Sequence, residues 1–124
     1  MKNLLLILVL AVMCSSVARA DNYEDGVEAF KKGDYAIALK LFRPLAEKGI
    51  VRAQYNLGVM YDKGQGVIQD YVLAHMWYNI SANNGNDDGR HNRDSIAKEM
   101  TPAQISKAQD MARECVKKNY KNCD

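Results

Sequence analysis

Between residues 51 and 63, apolar side chains recur at steps of three and four along the chain. Leu57, Met60 and Tyr61 therefore share one face of a helix. Gly58 lies in the middle of this segment, where glycine destabilises a helix by about 1 kcal/mol relative to alanine. Close approach of a neighbouring helix would offset that cost. The pattern predicts a helix from Val51 to Lys63 that packs tightly against another helix.

A second helix is predicted to follow a short glycine-containing turn. The run Gly64–Gln65–Gly66 ends the first helix, since glycine adopts the left-handed backbone that a C-terminal cap requires. Asp70 is suited to begin the second helix, because its carboxylate can accept from free backbone N–H groups of the first turn. Ala74 and Trp77 begin a buried stripe in a helix that runs to about Asn83. We interpret Trp77 as a core residue rather than a platform for a ligand.

The chain also repeats itself at an offset of 36 residues. When residues 33–49 are aligned with residues 69–85, the matching pairs are Asp34 and Asp70, Tyr35 and Tyr71, Ala38 and Ala74, Ala46 and Ala82, and Gly49 and Gly85. Self-similarity at such a period is typical of helical repeats. The sequence thus predicts an all-α fold of about two and a half helix–turn–helix units: unit one at about 24–49, unit two at about 50–85, and a degenerate capping unit at about 86–124.

The second unit resembles a known family. Its sequence matches the pattern of a Sel1-like repeat, a relative of the tetratricopeptide repeat, at Ala53, Leu57, Gly58, Tyr61, Gly64, Gly66, Val67, Asp70, Ala74, Trp77 and Gly85. The resemblance implies a right-handed helical solenoid that binds a peptide or protein partner on its concave face. It also implies a scaffold without catalytic residues or a cofactor, and it does not name the partner.

The N-terminal segment has the character of a targeting sequence. Lys2 supplies a positive start, residues 4–13 form an uninterrupted apolar run, and an A-x-A cleavage site precedes Asp21. The apolar run is too short to span the ~30 Å hydrocarbon core of a membrane. We therefore predict a cleaved signal peptide over residues 1–20 and a mature repeat domain over residues 21–124. The predicted destination is the periplasm of a Gram-negative bacterium, with secretion from the cell as a further possibility.

Cleavage would change the charge of the protein. The full chain has 17 Lys and Arg residues and 15 Asp and Glu residues, for a formal net charge of +2. Lys2 and Arg19 would leave with the signal peptide, so that the mature chain would carry 15 residues of each sign. A chain without net charge has no overall basic field to attract nucleic acid or anionic lipid. We expect a monomer that binds no nucleic acid and has no stable membrane insertion.

Two cysteines would remain after export. Cys14 falls within the predicted signal peptide, which leaves Cys115 and Cys123 as an even pair in an oxidising compartment. Thr101 and Pro102 predict the start of a last helix that runs to about Tyr120, and Cys115 lies late in that helix. Redox-active pairs favour a C-x-x-C spacing at a helix N-terminus. The sequence therefore predicts a structural disulfide between Cys115 and Cys123.

Candidate catalytic and metal-binding residues are few. His75 and His91 are the only histidines, and neither has a partner at zinc-ligand spacing, so that both are interpreted as surface residues and no metal site is predicted. Ser95 and Lys98 form an S-x-x-K motif without the companion motifs of a penicillin-recognising enzyme. Because some cysteine-rich exported relatives of the Sel1-like family are assigned penicillin binding or weak β-lactamase activity, such a hydrolase is the alternative to a binding module.

The candidate binding surface lies on the first helix of the second unit. If the apolar stripe faces the core, a helical wheel places Arg52, Tyr55, Val59 and Asp62 on the opposite side. The first helices of successive units line the concave face of such solenoids. These four residues are therefore the predicted contacts to a partner. An equally weighted alternative is that Tyr55 packs against the first helix of the next unit.

Overall fold

A computed structural model describes residues 22–124, so the signal peptide predicted over residues 1–20 lies outside the described residues. The described chain is helical throughout its repeats, and no strand occurs within it. Its helices are α1, whose described part covers 22–31, α2 (Tyr35–Glu47), α3 (Val51–Lys63), α4 (Tyr71–Asn83), α5 (Asp87–Ala97) and α6 (Pro102–Lys117). The predicted all-α helical-repeat fold is confirmed.

The helices form successive helix–turn–helix hairpins along the chain, with α1, α3 and α5 as the first helices and α2, α4 and α6 as the second helices. In the last hairpin, α5 and α6 pack mainly on α4 rather than on each other. α3 packs against α2 and α4, while α4 also packs against α5 and α6. α4 therefore lies at the centre of the core. Among residues 22–124, none of the helices is both long enough and apolar enough to cross a membrane.

Glycines allow the first two hairpins to close tightly. A Cβ atom at Gly58 of α3 would lie 2.5 Å from Cδ1 of Tyr78 on α4. A Cβ atom at Gly26 of α1 would likewise lie 2.6 Å from Cε1 of Phe42 on α2. Tyr78 and Phe42 are each 1% exposed, because the ring of each covers a helix backbone that lacks a side chain at that point. Glycine is required at these two positions by packing rather than by backbone conformation.

The residues of the repeat pattern divide between the core and the turns. Those that are buried are Ala53, Leu57, Gly58, Tyr61, Ala74 and Trp77. Gly64, Gly66 and Gly85 lie in turns, and each has a positive φ. The backbone at Gly64, with φ of 66°, forms the left-handed C-cap of α3.

Side-chain caps begin the last three helices. The carboxylate of Asp70 accepts from the backbone N–H of Leu73 at 3.1 Å, and the Asn86 side chain accepts from the N–H of Gly89 at 2.8 Å. Thr101 forms a reciprocal capping box with Gln104 at the start of α6. Such caps satisfy N–H groups that have no partner within the helix.

The C-terminal end of the last helix differs from the sequence-based expectation. The helix predicted from Thr101 to about Tyr120 ends at Lys117, because the backbone turns at Asn119 and Tyr120, which have positive φ values of 53° and 66°. Cys115 and Cys123 are joined in a disulfide, with their Cα atoms 5.2 Å apart.

Candidate protein-interaction surface

The first helices are connected across one face of the molecule by tyrosine–asparagine hydrogen bonds. Asn56 of α3 donates its Nδ2–H to the hydroxyl of Tyr23 on α1 at 3.0 Å. Asn92 of α5 donates in the same way to the hydroxyl of Tyr55 on α3 at 3.1 Å. We call this surface of α1, α3 and α5 the first-helix face. Its two polar contacts have the same chemistry in successive units.

A groove of about 250 Å³ lies on the first-helix face between α3 and α5. It is lined by Tyr55, Val59, Asp62, Lys63, Tyr78, Asn92, Ser95 and Ile96. The ring centres of Tyr55 and Tyr78 are 5.8 Å apart, and the hydroxyl of Tyr78 donates to the Asp62 carboxylate at 2.9 Å. The groove therefore combines aromatic surface with a charge that is fixed in position by a hydrogen bond.

The structure brings three of the four predicted contact residues together. Tyr55, Val59 and Asp62 line the groove between α3 and α5. Arg52 is exposed and lies nearer to α1, with its guanidinium 4.5 Å above the ring centre of Tyr23. Tyr55 is half-buried and contacts Asn92 of the next first helix, so it both packs between units and borders the groove.

Several residues of this surface were missed by reasoning from the sequence. Asn92 follows Asn56 by 36 residues, which is the offset of the internal repeat, and this offset could have identified it. Tyr78 belongs to α4, and its presence in the groove depends on the absence of a side chain at Gly58. No periodicity within α3 alone reveals that contact.

The tyrosine hydroxyls of the groove are neutral at physiological pH. Burial raises the pKa of Tyr78 well above its usual range, and the neighbouring Asp62 carboxylate raises it further. Burial also raises the pKa of Tyr55, although the hydrogen bond from Asn92 opposes that shift. Both side chains therefore act as hydrogen-bonding phenols rather than as anions or bases.

Residues considered for catalysis or metal binding are not assembled into a site. Ser95 is exposed at the edge of the groove, and Lys98 follows α5 as its C-cap residue. Within the described part of the chain, no group of three or more His, Cys, Asp and Glu side chains could hold a metal ion.

The sequence-based interpretation of His75 as a surface residue is wrong. Its side chain is 3% exposed, and its Nδ1 atom is buried without a hydrogen-bond partner in the described structure. Burial lowers the pKa of His75 below the ordinary value of 6.5, and the positive charge of Arg93 lowers it further. The preceding Ala74 and the following Met76 are also buried, because α4 is surrounded by α3, α5 and α6. His91 is exposed.

The Sel1 repeat family model matches residues 15–50 and 51–86, which together make up more than half of the chain. The chain belongs to the Sel1 repeat family. The second match contains α3 and α4, whereas α5 and α6 follow the matched residues. Sel1 repeats are generally protein-interaction modules.

Two curated relatives share part of this sequence. The chain is 41% identical to the rat protein DAP3-binding cell death enhancer 1 over 59 residues, which is 48% of this chain and 11% of the rat protein. It is 39% identical to the mouse protein of the same name over 49 residues, which is 40% of this chain and 10% of the mouse protein. The chain thus spans about a tenth of the length of these relatives.

Proposed function

We propose that this protein is a non-catalytic interaction module that holds an extended segment of a partner protein against the first-helix face. The observation that carries the proposal is the groove between α3 and α5, which is lined by one of the two repeated tyrosine–asparagine contacts; the other lies between α1 and α3. In a helical-repeat domain, the first helices line the concave surface, where an extended ligand can contact several units.

The side chains of this face suit recognition of a peptide backbone. Asn56 and Asn92 each use an Nδ2–H to bind a tyrosine, while the Oδ1 atom of an asparagine amide is a separate acceptor. Each Oδ1 could therefore accept from a backbone N–H of an extended segment. Tyr23 and Tyr55 would supply contact area at low cost in side-chain entropy. Recognition of this kind would tolerate different partner sequences.

Charged residues beside the groove would set the orientation of the bound segment. Arg52 and Lys63 are exposed cations on α3. Asp62 is the anion that lines the groove and accepts from the Tyr78 hydroxyl. Charges at the rim of an interface mainly affect orientation and association rate, whereas buried aromatic residues contribute most of the affinity. Tyr55 is therefore the residue that we expect to contribute most.

The proposal places this interaction outside the cytoplasm. The predicted signal peptide over residues 1–20 would direct the mature domain to the periplasm, and a disulfide between Cys115 and Cys123 is compatible with an oxidising compartment. Mass spectrometry of the exported protein should find Asp21 as its first residue. An intact Met1 or a lipid on Cys14 would contradict the targeting part of the proposal without affecting the binding surface.

Site-specific photo-crosslinking can test the binding surface. A photoreactive amino acid at Val59 should crosslink a partner in periplasmic extract, whereas the same group at Val116, which is exposed on α6, should not. A synthetic segment of the crosslinked partner should then bind the double variant Tyr55→Ala, Val59→Ser roughly tenfold more weakly, as expected for loss of an aromatic contact.

A matched double variant controls for general loss of packing. Tyr71→Ala with Val116→Ser removes the same residue types from the second helices and should leave affinity for the segment unchanged. Circular dichroism should show native helicity in both proteins. Equal crosslinking from Val59 and Val116, or full affinity in the Tyr55 and Val59 variant, would show that the partner binds another face.

A further inference from the structure

The residues after α6 fold back over the earlier repeats instead of leaving the domain. We call residues 118–124 the tail segment. Tyr120 of this segment covers Gly49, and its hydroxyl accepts from Nδ2 of Asn84 at 3.2 Å. Cys123 is bonded to Cys115 of α6. The tail segment is thereby carried from α6 to the turns that follow α2 and α4.

Asp124 of the tail segment occupies a carboxylate-binding site between α2 and α3. The Asp124 carboxylate pairs with the guanidinium of Arg43 through one oxygen and accepts from the Tyr61 hydroxyl through the other. Arg43 Nη2 also donates to the Tyr61 hydroxyl at 3.4 Å. The Asp124 side chain is only 3% exposed, although the residue as a whole lies at the surface. A buried carboxylate requires this kind of charged and hydrogen-bonded environment.

The ordinary ionisation of Arg43 and Tyr61 preserves this site. Burial lowers the pKa of Arg43, but its hydrogen bonds to Tyr61 and Asp124 outweigh burial and raise the pKa overall. Burial raises the pKa of Tyr61, which therefore keeps its proton and can donate it to a carboxylate oxygen. A cation and a neutral hydroxyl thus face the Asp124 carboxylate. The same two groups could bind the carboxylate of any other acidic side chain.

The backbone of the tail segment is strained while it reaches this site. Asn119, Tyr120 and Asn122 all have φ values between 53° and 66°. Asparagine adopts this left-handed conformation readily, but tyrosine rarely does. Such strain persists only where surrounding contacts hold it. Tyr120 itself is held by hydrogen bonds with Asn84 and with the Cys115 carbonyl. Beyond Tyr120, the holding contacts are the disulfide at Cys123 and the ion pair at Asp124, so that loss of one of these two should weaken the other.

The disulfide is accessible to a reductant from solvent. A surface cavity of about 620 Å³ reaches both of its cysteines. A thiolate must reach a sulfur atom for exchange, and Cys123 is half-buried whereas Cys115 is 1% exposed. Attack would therefore occur at Cys123, on the side of the tail segment.

We propose that Arg43 and Tyr61 form a second binding site, for an acidic side chain of another protein, that Asp124 occupies as long as the Cys115–Cys123 bond is closed. A dithiol reductant would supply two electrons and two protons, convert the bond into two thiols, and itself become a disulfide. The tail segment would then relax at Tyr120 and withdraw Asp124. Arg43 and Tyr61 would be left to bind an external carboxylate, and oxidation would reverse the change.

Disulfide equilibria in glutathione buffers test the coupling between the bond and the ion pair. Asp124→Asn should lower the equilibrium constant for forming the Cys115–Cys123 bond by about five- to tenfold, since coupling between two sites is reciprocal. Asp87→Asn is the matched control, because it breaks the exposed pair between Asp87 and Arg90 on α5, away from the disulfide, and should leave the constant unchanged. Equal constants in the two variants would overturn the proposed coupling.

Fluorescence anisotropy tests the binding site itself, with fluorescein-labelled tetraglutamate as the probe. The reduced protein should bind it roughly tenfold more tightly than the oxidised protein, because charge-assisted hydrogen bonds to Arg43 become available. Binding should be lost in reduced Arg43→Gln and weakened in reduced Tyr61→Phe, which removes only a hydroxyl. Labelled tetraglutamine should not bind.

Each other outcome of this assay contradicts the proposal. Equal affinity for tetraglutamate in both redox states would show that the tail segment does not gate the site. Retained affinity in Arg43→Gln would place the peptide elsewhere, and binding of tetraglutamine would indicate adhesion to apolar surface. Circular dichroism of the reduced protein should show native helicity, and an unfolded reduced protein would also contradict a reversible switch. None of these results depends on the first-helix face.

Discussion

The first two hairpins and the last one are closed by different means. In α1–α2 and α3–α4, an aromatic ring of the second helix packs on a glycine of the first, as Phe42 does on Gly26 and Tyr78 on Gly58. The positions 36 residues after Gly58 and Tyr78 are Asp94 and Glu114, and both are exposed. The packing contact that defines the first two units is therefore missing from α5–α6.

The last hairpin depends on local and covalent stabilisation instead. The buried residues of α5 are Gly89 and Ile96, whereas α3 and α4 each contribute six or more to the core. Asn86 caps α5, the capping box begins α6, and the disulfide closes the end of α6. A terminal unit of a solenoid has a neighbour on one side only, so it cannot gain as much from burial. Packing of an aromatic ring on a glycine therefore specifies the first two hairpins, whereas helix caps together with a cross-link stabilise the last one.

The largest expected effect comes from filling the close contact of the α3–α4 hairpin. Gly58→Leu should destabilise the protein by about 3 kcal/mol, because a side chain at this position overlaps the buried ring of Tyr78. The melting temperature should fall by roughly 14 °C for a domain of this size. Asp94→Leu, at the corresponding position of α5, should change the stability by less than about 0.5 kcal/mol. Similar losses in both variants would remove the proposed difference between the hairpins.

Removal of the disulfide should have the next largest effect, confined to the last hairpin. The double variant Cys115→Ser, Cys123→Ser should lose about 2 kcal/mol, because the bond closes a short loop. Amide exchange should rise in α6 and the tail segment but not in α3, and reduction of the unaltered protein should give the same pattern. Free-thiol labelling of the unreduced native chain should be negligible. Uniformly faster exchange would show that all three hairpins unfold as one unit.

Loss of the α6 cap should be smaller and equally local. Thr101→Ala removes both the acceptor for the Gln104 N–H and the geometry of the reciprocal bond, at a cost of about 1 kcal/mol. Thr101→Ser retains the hydroxyl and serves as the control. Thermal unfolding of the two variants would measure the difference. A melting temperature for Thr101→Ala that equals that of Thr101→Ser would mean that the cap does not stabilise the last unit.

Helix positions could be predicted from the sequence because their signals are local. The glycine turn at Gly64, the acceptor at Asp70 and the proline at residue 102 each act within a few residues of the helix end that they define. The 36-residue offset of the internal repeat also predicts how the helices pair, since residues that match in sequence occupy equivalent positions in successive hairpins. Local signals of this kind also suggested which side of α3 faces away from the core.

The remaining features depend on contacts between distant segments. Tyr78 reaches the groove past Gly58, and Asp124 reaches Arg43 across 81 residues of sequence, so no periodicity reports either contact. His75 lies on α4, and an isolated amphipathic helix would expose one of its sides. Here α3, α5 and α6 cover α4, so that a polar residue becomes buried along with its apolar neighbours. The sequence of α4 alone does not show which other helices cover it, so it gives no signal for the burial of His75.

The smallest expected effect is a pH dependence at the boundary between the two kinds of hairpin. His75 on α4 is influenced by Arg93 and Asp94 of α5, and Arg93 also donates to the Asn79 side chain at 2.8 Å. Burial is the main cause that lowers the pKa of His75 in the folded protein, Arg93 adds to it, and Asp94 opposes it. Protonation would therefore place an unfavourable positive charge between α4 and α5.

The direction of this pH dependence follows from proton linkage. The unfolded state binds a proton at His75 near the ordinary pKa of 6.5, whereas the folded state does so only at lower pH. Above about pH 6.5, the titration of His75 should not change the free energy of unfolding. Below that pH, the free energy of unfolding should decrease as the pH falls toward the folded-state pKa. Thermal unfolding between about pH 7.5 and pH 5.5 should show a smaller decrease for His75→Gln than for the unaltered protein, while His91→Gln, at an exposed histidine, should behave as the unaltered protein does. If the stability of His75→Gln decreased as much as that of the unaltered protein, another group would be responsible for the loss of stability in acid. The contact between α4 and α5 would then be no more sensitive to acid than the first two hairpins.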